Sequence, residues 1–487
     1  MQKSRKKRLF PWLVLVLWTI ACWVFFQQCY SYHFFYKEQN QLFLLSSDYI
    51  STYQGAGWLA RLVGDWLTQY YYYRYAGAAI LSALLLAIGL LLYSGLCRLH
   101  IHRWVALPVA LAAMAAEAGC QLHYNYPLSG TVRDLGLAAT LWLVGMAYGP
   151  LRRWMIEKKI GRLSFIGIPA IMGLLLFLPA IRLFCFDGAK WHIVAPEWQI
   201  EKMLAVDNEY RFGNYDKVIQ LVEQEEQPAT EMKFFYNLVM AQRGQLPDQL
   251  LRFVPNELGT LHRIGSETPL YTIKNMNELY WVLGDMTFTE RAAMMANVFS
   301  PTNRNVRMVK RLAECNIVSG DTLAARKYLR LLEQTVAYRD WALTAMQAPI
   351  YQQKALLRNQ QDTLAVTDNS HFIMMQLLDS NPDNTVALDY MLCTELLLKD
   401  IVNFKRDYDR YCTTRPRVKK LYQEALCIWL AGTEAPQEEW QRLITMPDVM
   451  QRFVQYNQQR GSEAFRDTYW YYFDKEPTPD PSPREGS

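Results

Sequence analysis

The chain has 487 residues, 51% of them hydrophobic and 14% aromatic, with a formal net charge of +5. Residues 1–186 carry 17 Lys and Arg against 6 Asp and Glu, and the remainder carries 34 against 40. The basic excess therefore lies beside apolar segments while the polar half is mildly acidic, a distribution that argues against a nucleic-acid partner and for a chain part membrane, part water-soluble.

In chain order, five apolar runs come first: Leu9 to Phe26, Tyr75 to Cys97, Trp104 to Leu122, Leu135 to Leu151 and Leu163 to Cys185. Each is close to the ~20 residues a helix needs to cross the hydrocarbon core. No small-x-small cleavage site follows Phe26, so the first run reads as an uncleaved anchor. Lys3, Arg5, Lys6, Lys7 and Arg8 precede it, Arg98 and Arg103 lie in the second-to-third connection, and Arg152, Arg153, Lys158, Lys159 and Arg162 lie in the fourth-to-fifth. Positive charge on alternate connections places these in the cytoplasm and the C-terminal half outside it. The segment 27–74 mixes charges with Trp58, Leu62, Trp66, Leu67 and Tyr70 at helical spacing, which predicts interfacial amphipathic helices broken at Gly55 and Gly57.

From about Pro196 the periodicity is helical and the segments pair across short turns. The turn glycines Gly213, Gly244, Gly284 and Gly320 are separated by 31, 40 and 36 residues. A period in the thirties with paired helices predicts a tetratricopeptide-like α-solenoid over residues 187–473. The strongest repeat has Leu312 and Ala313, the turn at Gly320, and Ala325 five residues on; Val218, Gln249 and Thr289 stand at the last position in the other repeats. The aromatic stretch Ala464 to Phe473 reads as a cap, and the Pro-rich residues 474–487 as a disordered tail. The fold class expected is all-α, with a bundle of about five transmembrane helices in residues 1–186 followed by the solenoid.

The stretches "EQNQLFLLSSDYI" (Glu38 to Ile50), "GDWLTQYYYYRYAGAAI" (Gly64 to Ile80) and "LAECNIVSGDTLAARKYLRLLEQTVAYRDWA" (Leu312 to Ala342) resemble an uncharacterised bacterial family of polytopic membrane proteins with a tetratricopeptide-like C-terminal half. That resemblance implies a bacterial inner-membrane location and a periplasmic C-terminal domain, and carries no catalytic residue with it.

Chemistry is sparse. The phosphate-cradling GxxxxGK[ST], the zinc-binding HExxH and the GxSxG elbow are all absent, and there are only seven histidines. The nine cysteines show no CxxC pair, so no cofactor or metal is expected, while an extracytoplasmic disulfide among Cys315, Cys393, Cys412 and Cys427 stays open. Glu117 is the one acid inside an apolar run, with Arg133 or Arg182 as its expected partner. Asp48, in the first outer segment, stands where membrane glycosyltransferases acting on lipid-linked sugars keep a general base. Asp48 and Glu117 are thus the catalytic candidates of an enzymatic alternative. The leading expectation is instead a membrane-anchored, non-catalytic scaffold whose solenoid meets a protein or peptide partner outside the cytoplasm, with Tyr236, Asn237, Tyr280 and Asn316 as binding candidates.

Overall fold

The computed structural model describes residues 2–157, 184–187, 190–193, 195–253, 258–261, 270–356 and 369–479. These are helical nearly throughout, with one antiparallel hairpin pairing β1 (Phe184–Asp187) with β2 (Lys190–Ile193), Phe184 opposite Ile193. The chain forms two compact units. The first comprises Met1–Leu204 with Pro301–Arg307 and Arg330–Leu343; the second comprises Ala205–Ser300, Met308–Leu329 and Thr344–Ser487.

The long helices of the first unit are α1 (Gln2–Gln28), α5 (Ala76–Arg98), α6 (Arg103–Gln121) and α7 (Leu128–Glu157), with the short α2 (Tyr32–Gln39), α3 (Ser47–Ser51) and α4 (Trp58–Thr68) between α1 and α5. Among the described residues three stretches are long and apolar enough to cross a membrane: Phe10–Gln28, Ala76–Arg98 and Arg103–Gln121. The expected fourth span lies within the 30-residue α7, which does not join those three. The expected fifth, 163–185, falls almost wholly outside the described residues.

The long helices run up and down. At one end Trp12 meets Tyr93 edge-on at 5.6 Å and Phe10 lies 6.4 Å from Trp104. At the other, Gln27 Nε2 donates to Arg74 O at 3.4 Å and Tyr30 OH to Leu122 O at 2.7 Å. Leu15, Leu81, Leu85, Ala106, Ala110 and Met114 fill the interior. Small residues set the closest approaches: a Cβ on Gly64 of α4 would fall 2.5 Å from Ser129 Cα of α7, and one on Gly145 would fall 2.9 Å from Gly95 O.

Between α1 and α5, Gly55 and Gly57 adopt φ of +82° and +74°, where glycine carries no steric penalty, and α4 starts directly after them. Its face with Trp58, Leu59 and Trp66 is exposed. The α2 helix differs from the interfacial expectation, because His33, Phe34, Phe35, Lys37, Glu38 and Gln39 are all buried. Distant chain supplies the partners. Asn305 Nδ2 donates to Asn40 Oδ1 (2.9 Å), Arg307 Nη1 to Gln39 Oε1 (2.9 Å), Tyr338 OH to Glu38 Oε1 (2.8 Å) and Val336 N to Gln69 Oε1 (3.2 Å). Residues expected to belong to the C-terminal domain alone therefore complete the first unit.

The second unit is built from helical hairpins, among them Leu270–Leu283 with Met286–Val298, and Thr385–Leu397 with Ile401–Cys412. Gly213, Gly244, Gly284 and Gly320 have φ of +75°, +66°, +89° and +84°, so each sits where an L-residue would be strained as the helix ends. Five residues after three of these turns, Val218, Thr289 and Ala325 are fully buried, so the close-packed position persists where the small residue does not. The aromatic segment near the end packs inward: Trp470 Nε1 donates to Glu424 O at 2.8 Å, and Tyr469 OH to Leu396 O at 2.8 Å. The last helix, Tyr469–Lys475, runs slightly past the expected start of the tail. Cys315, Cys393, Cys412 and Cys427 are buried free thiols.

Candidate functional site

The first unit gathers ionisable side chains where α1 and α6 end and α5 and α7 begin. Glu117, on the last turns of α6, is 1% exposed. It accepts from Thr131 Oγ1 at 2.6 Å and Tyr126 OH at 3.2 Å. Among the described residues these partners are hydroxyls; of the two arginines expected beside it, Arg133 lies 3.9 Å from Asp134 and Arg182 falls outside the described residues. The network continues, since Thr131 Oγ1 accepts from Gln121 Nε2 at 2.6 Å and Gln121 Oε1 accepts from Lys37 Nζ at 2.7 Å. A continuous hydrogen-bonded path therefore joins Lys37 on α2 to Glu117 in the bundle.

Glu201 completes the cluster from the other side of α2. The N-cap residue of that helix, Ser31, makes no side-chain cap. Instead the Glu201 carboxylate accepts the first free amides, Tyr32 N–H at 2.6 Å and His33 N–H at 3.1 Å. An anion there satisfies orphan donors and faces the positive end of the helix dipole. Burial nevertheless pushes the Glu201 carboxyl up to about 7, against the backbone donors and the charge of Lys37. Burial likewise lowers the Lys37 ammonium to about 7, and burial with the nearby Lys37 charge holds the His33 imidazole well below its ordinary range. Two groups that can change charge near neutral pH and one neutral imidazole thus line one end of the bundle, an arrangement able to hold or pass a proton.

Asp48 stands apart from this cluster. It is exposed in the first turn of the five-residue α3, where Ser47 Oγ reaches it at 3.4 Å. A shallow cleft in the same unit is lined by Glu38, Gln41, Phe43, Gln69, Val306, Thr335, Ala337 and Tyr338, without Asp48.

The four binding candidates lie in the second unit, and all are buried. Tyr236 OH lies 3.4 Å from both Glu223 Oε1 and Gln249 Oε1, Asn237 Nδ2 donates to Thr260 O at 3.1 Å, and Asn316 Nδ2 donates to Leu312 O at 2.8 Å. Tyr280 packs against Phe288 with ring centroids 5.1 Å apart. Asn316 Nδ2 also reaches Glu290 Oε1 at 3.0 Å, so each of the four residues, expected to line a concave groove, is buried against a separate element.

Two further clusters were not anticipated. Arg311 donates to Glu278 Oε2 at 2.6 Å, Glu314 Oε2 at 2.8 Å and Asn277 Oδ1 at 3.0 Å, with its guanidinium 4.5 Å over the Trp281 ring. His371, Glu395 and Asp407 present one ligand-type atom each, all within 4.8 Å of one another. Neither cluster has a local sequence signature, since each is assembled from separate helices.

The architecture defines a class: a helical protein that joins a bundle of apolar N-terminal helices to a C-terminal half of helical hairpins. Residues 5–157 and 152–476 match a family described as a family of unknown function (DUF6057), and the chain belongs to that family. No curated protein and no solved structure matches the chain.

Proposed function

We propose that the protein is a multi-pass protein of the bacterial inner membrane whose tetratricopeptide-like C-terminal half is a periplasmic scaffold for a protein or peptide partner. The observation that carries this reading is the placement of C-terminal residues in the first unit. Glu197 and Glu201 bond to Tyr30, Tyr32 and His33, and residues 301–307 and 330–343 bond to the segment between α1 and α5. All of these contacts fall at the bundle end remote from Arg98 and Arg103. Positive charge favours the cytoplasm for that opposite end, which leaves the C-terminal half outside.

Five crossings follow from the same reading. The α7 helix starts beside Glu117 and passes Arg98, whose side chain a Cβ on Gly145 would meet at 3.2 Å. Glu197 N–H meets Tyr30 OH at the end where α7 starts, and the apolar run 163–185 of the sequence is long enough for the return span that this reading requires. The exposed setting of Asp48 gives the enzymatic alternative no enclosed site.

The test is in-cell crosslinking and recovery of the full-length protein, alongside an Asp48→Ala variant. Capture of one defined envelope protein, which recovers this chain reciprocally and is unaffected by Asp48→Ala, supports the scaffold. Absence of any partner, together with a changed envelope glycan or lipid in the Asp48→Ala strain, overturns it.

A further inference from the structure

We propose that His371, Glu395 and Asp407 form a binding site for a divalent transition-metal cation, with Zn²⁺ as its simplest occupant. The three residues come from consecutive helices, Ser370–Ser380, Thr385–Leu397 and Ile401–Cys412. His371 Nε2 lies 2.5 Å from Asp407 Oδ2 and 3.3 Å from Glu395 Oε1. Ligands around a four-coordinate ion with bonds of ~2.0–2.2 Å stand roughly 3.3 Å apart, so small side-chain rotations make room for one.

Glu395 is the group that calls for a ligand. It is 6% exposed, its carboxylate oxygens receive no well-aligned hydrogen bond, and its ion-pair contact is with the His371 imidazole, 3.3 Å from Oε1. A buried carboxylate in that state is costly, and native proteins rarely leave one so. Asp407, by contrast, is already held: Arg406 donates from Nε to Oδ1 and from Nη2 to Oδ2, both at 3.0 Å. The Arg406 side chain is 57% exposed and can turn to solvent when a cation takes Oδ2. The cation then gives Glu395 a direct bond in place of its looser contact with His371.

The donor set narrows the class of ion. One imidazole with two carboxylates suits a borderline divalent ion such as Zn²⁺ or Mn²⁺ better than the all-oxygen shells of Ca²⁺ or Mg²⁺. Three protein ligands leave a position for water, and the part-exposed His371 gives the ion a path in. Bound there, the ion ties three consecutive helices together.

Full-length protein, stripped with a chelator and held in lipid nanodiscs, is dialysed against Zn²⁺; bound metal is counted by mass spectrometry and thermal melting is followed in parallel. Wild type is expected to take up one ion per chain saturably and to melt higher when loaded. Glu395→Gln and Asp407→Asn are expected to weaken uptake by ~10–100-fold and to abolish the gain in melting temperature. Asp379→Asn, at an exposed carboxylate paired with Arg410, should bind as wild type does. Metal-free Glu395→Gln should melt no lower than metal-free wild type, because it removes a buried carboxylate that receives no well-aligned hydrogen bond, and this keeps loss of binding distinct from loss of fold. The proposal fails if wild type takes up no saturable ion, or if Glu395→Gln binds as tightly as Asp379→Asn.

Discussion

Replacing Glu201 tests whether burial or helix capping dominates where α2 begins. Its folded-state pKa is raised from 4.5 to about 7. A carboxyl raised in this way contributes stability that is fully present below about pH 4.5 and lost as pH rises through about 7. The difference is worth about 3 kcal/mol between those limits. Glu201→Gln keeps an acceptor for the Tyr32 amide and removes the titration. Melting of the full-length protein in nanodiscs between pH 4.5 and 7.5 should therefore show wild type losing stability relative to Glu201→Gln as pH rises. Glu395 and Glu424, also raised to about 7, titrate alike in both proteins and cancel in the difference. Lys37, lowered from 10.5 to about 7, acts in the opposite sense and chiefly above pH 7. Parallel profiles for the two proteins would refute the reasoning and return Glu201 to the role of a fully ionised cap. Glu201→Ala, which removes both acceptors, should cost a further ~1–2 kcal/mol at acidic pH.

Three other outcomes follow from the packing. Arg311→Met should destabilise the second unit by ~3–5 kcal/mol, read as a lower urea midpoint, because it strips the countercharge from the buried Glu278. Gly64→Val should cost ~1–3 kcal/mol and lower the yield of folded protein from membranes, since the obstructing atoms at Ser129 are backbone. A membrane-impermeant maleimide added to intact spheroplasts should label the exposed Cys29, while Cys315, Cys393, Cys412 and Cys427 react only after denaturation; labelling of Cys29 from the cytoplasmic side alone would invert the proposed orientation.

What could be read in the chain were features whose cause is local. Turn glycines were legible because glycine enters the left-handed backbone without steric cost, as at Gly213, Gly244, Gly284 and Gly320. Three apolar spans were legible from length and composition. The burial of α2 was not, because its polar partners lie between about 80 and 300 residues away, from Gln121 to Tyr338. Glu117 illustrates the same limit: its charge drew attention to arginines, while the hydroxyls of Thr131 and Tyr126 that bond to it carry no such signal in the sequence. Tyr236, Asn237, Tyr280 and Asn316 resembled surface contacts because polar and aromatic groups often are. Their partners, such as Thr260 O and Glu290 Oε1, are visible only once the helices are packed. The signal that could have drawn attention to Lys37 was its setting, a lone cation after the aromatic run from Tyr32 to Tyr36.

The first unit takes residues from three separated stretches of chain, and this sets an order of biogenesis. When α7 leaves the ribosome, Glu38, Gln39, Asn40 and Gln69 have not yet met Tyr338, Arg307, Asn305 and Val336. The bundle can insert early but cannot finish until about residue 343 has been made. A nascent chain stalled before that point exposes polar groups that the mature protein buries, the kind of surface that quality-control proteases recognise. Completion of the distant loops thus ties closure of the first unit to synthesis of the chain through about residue 343.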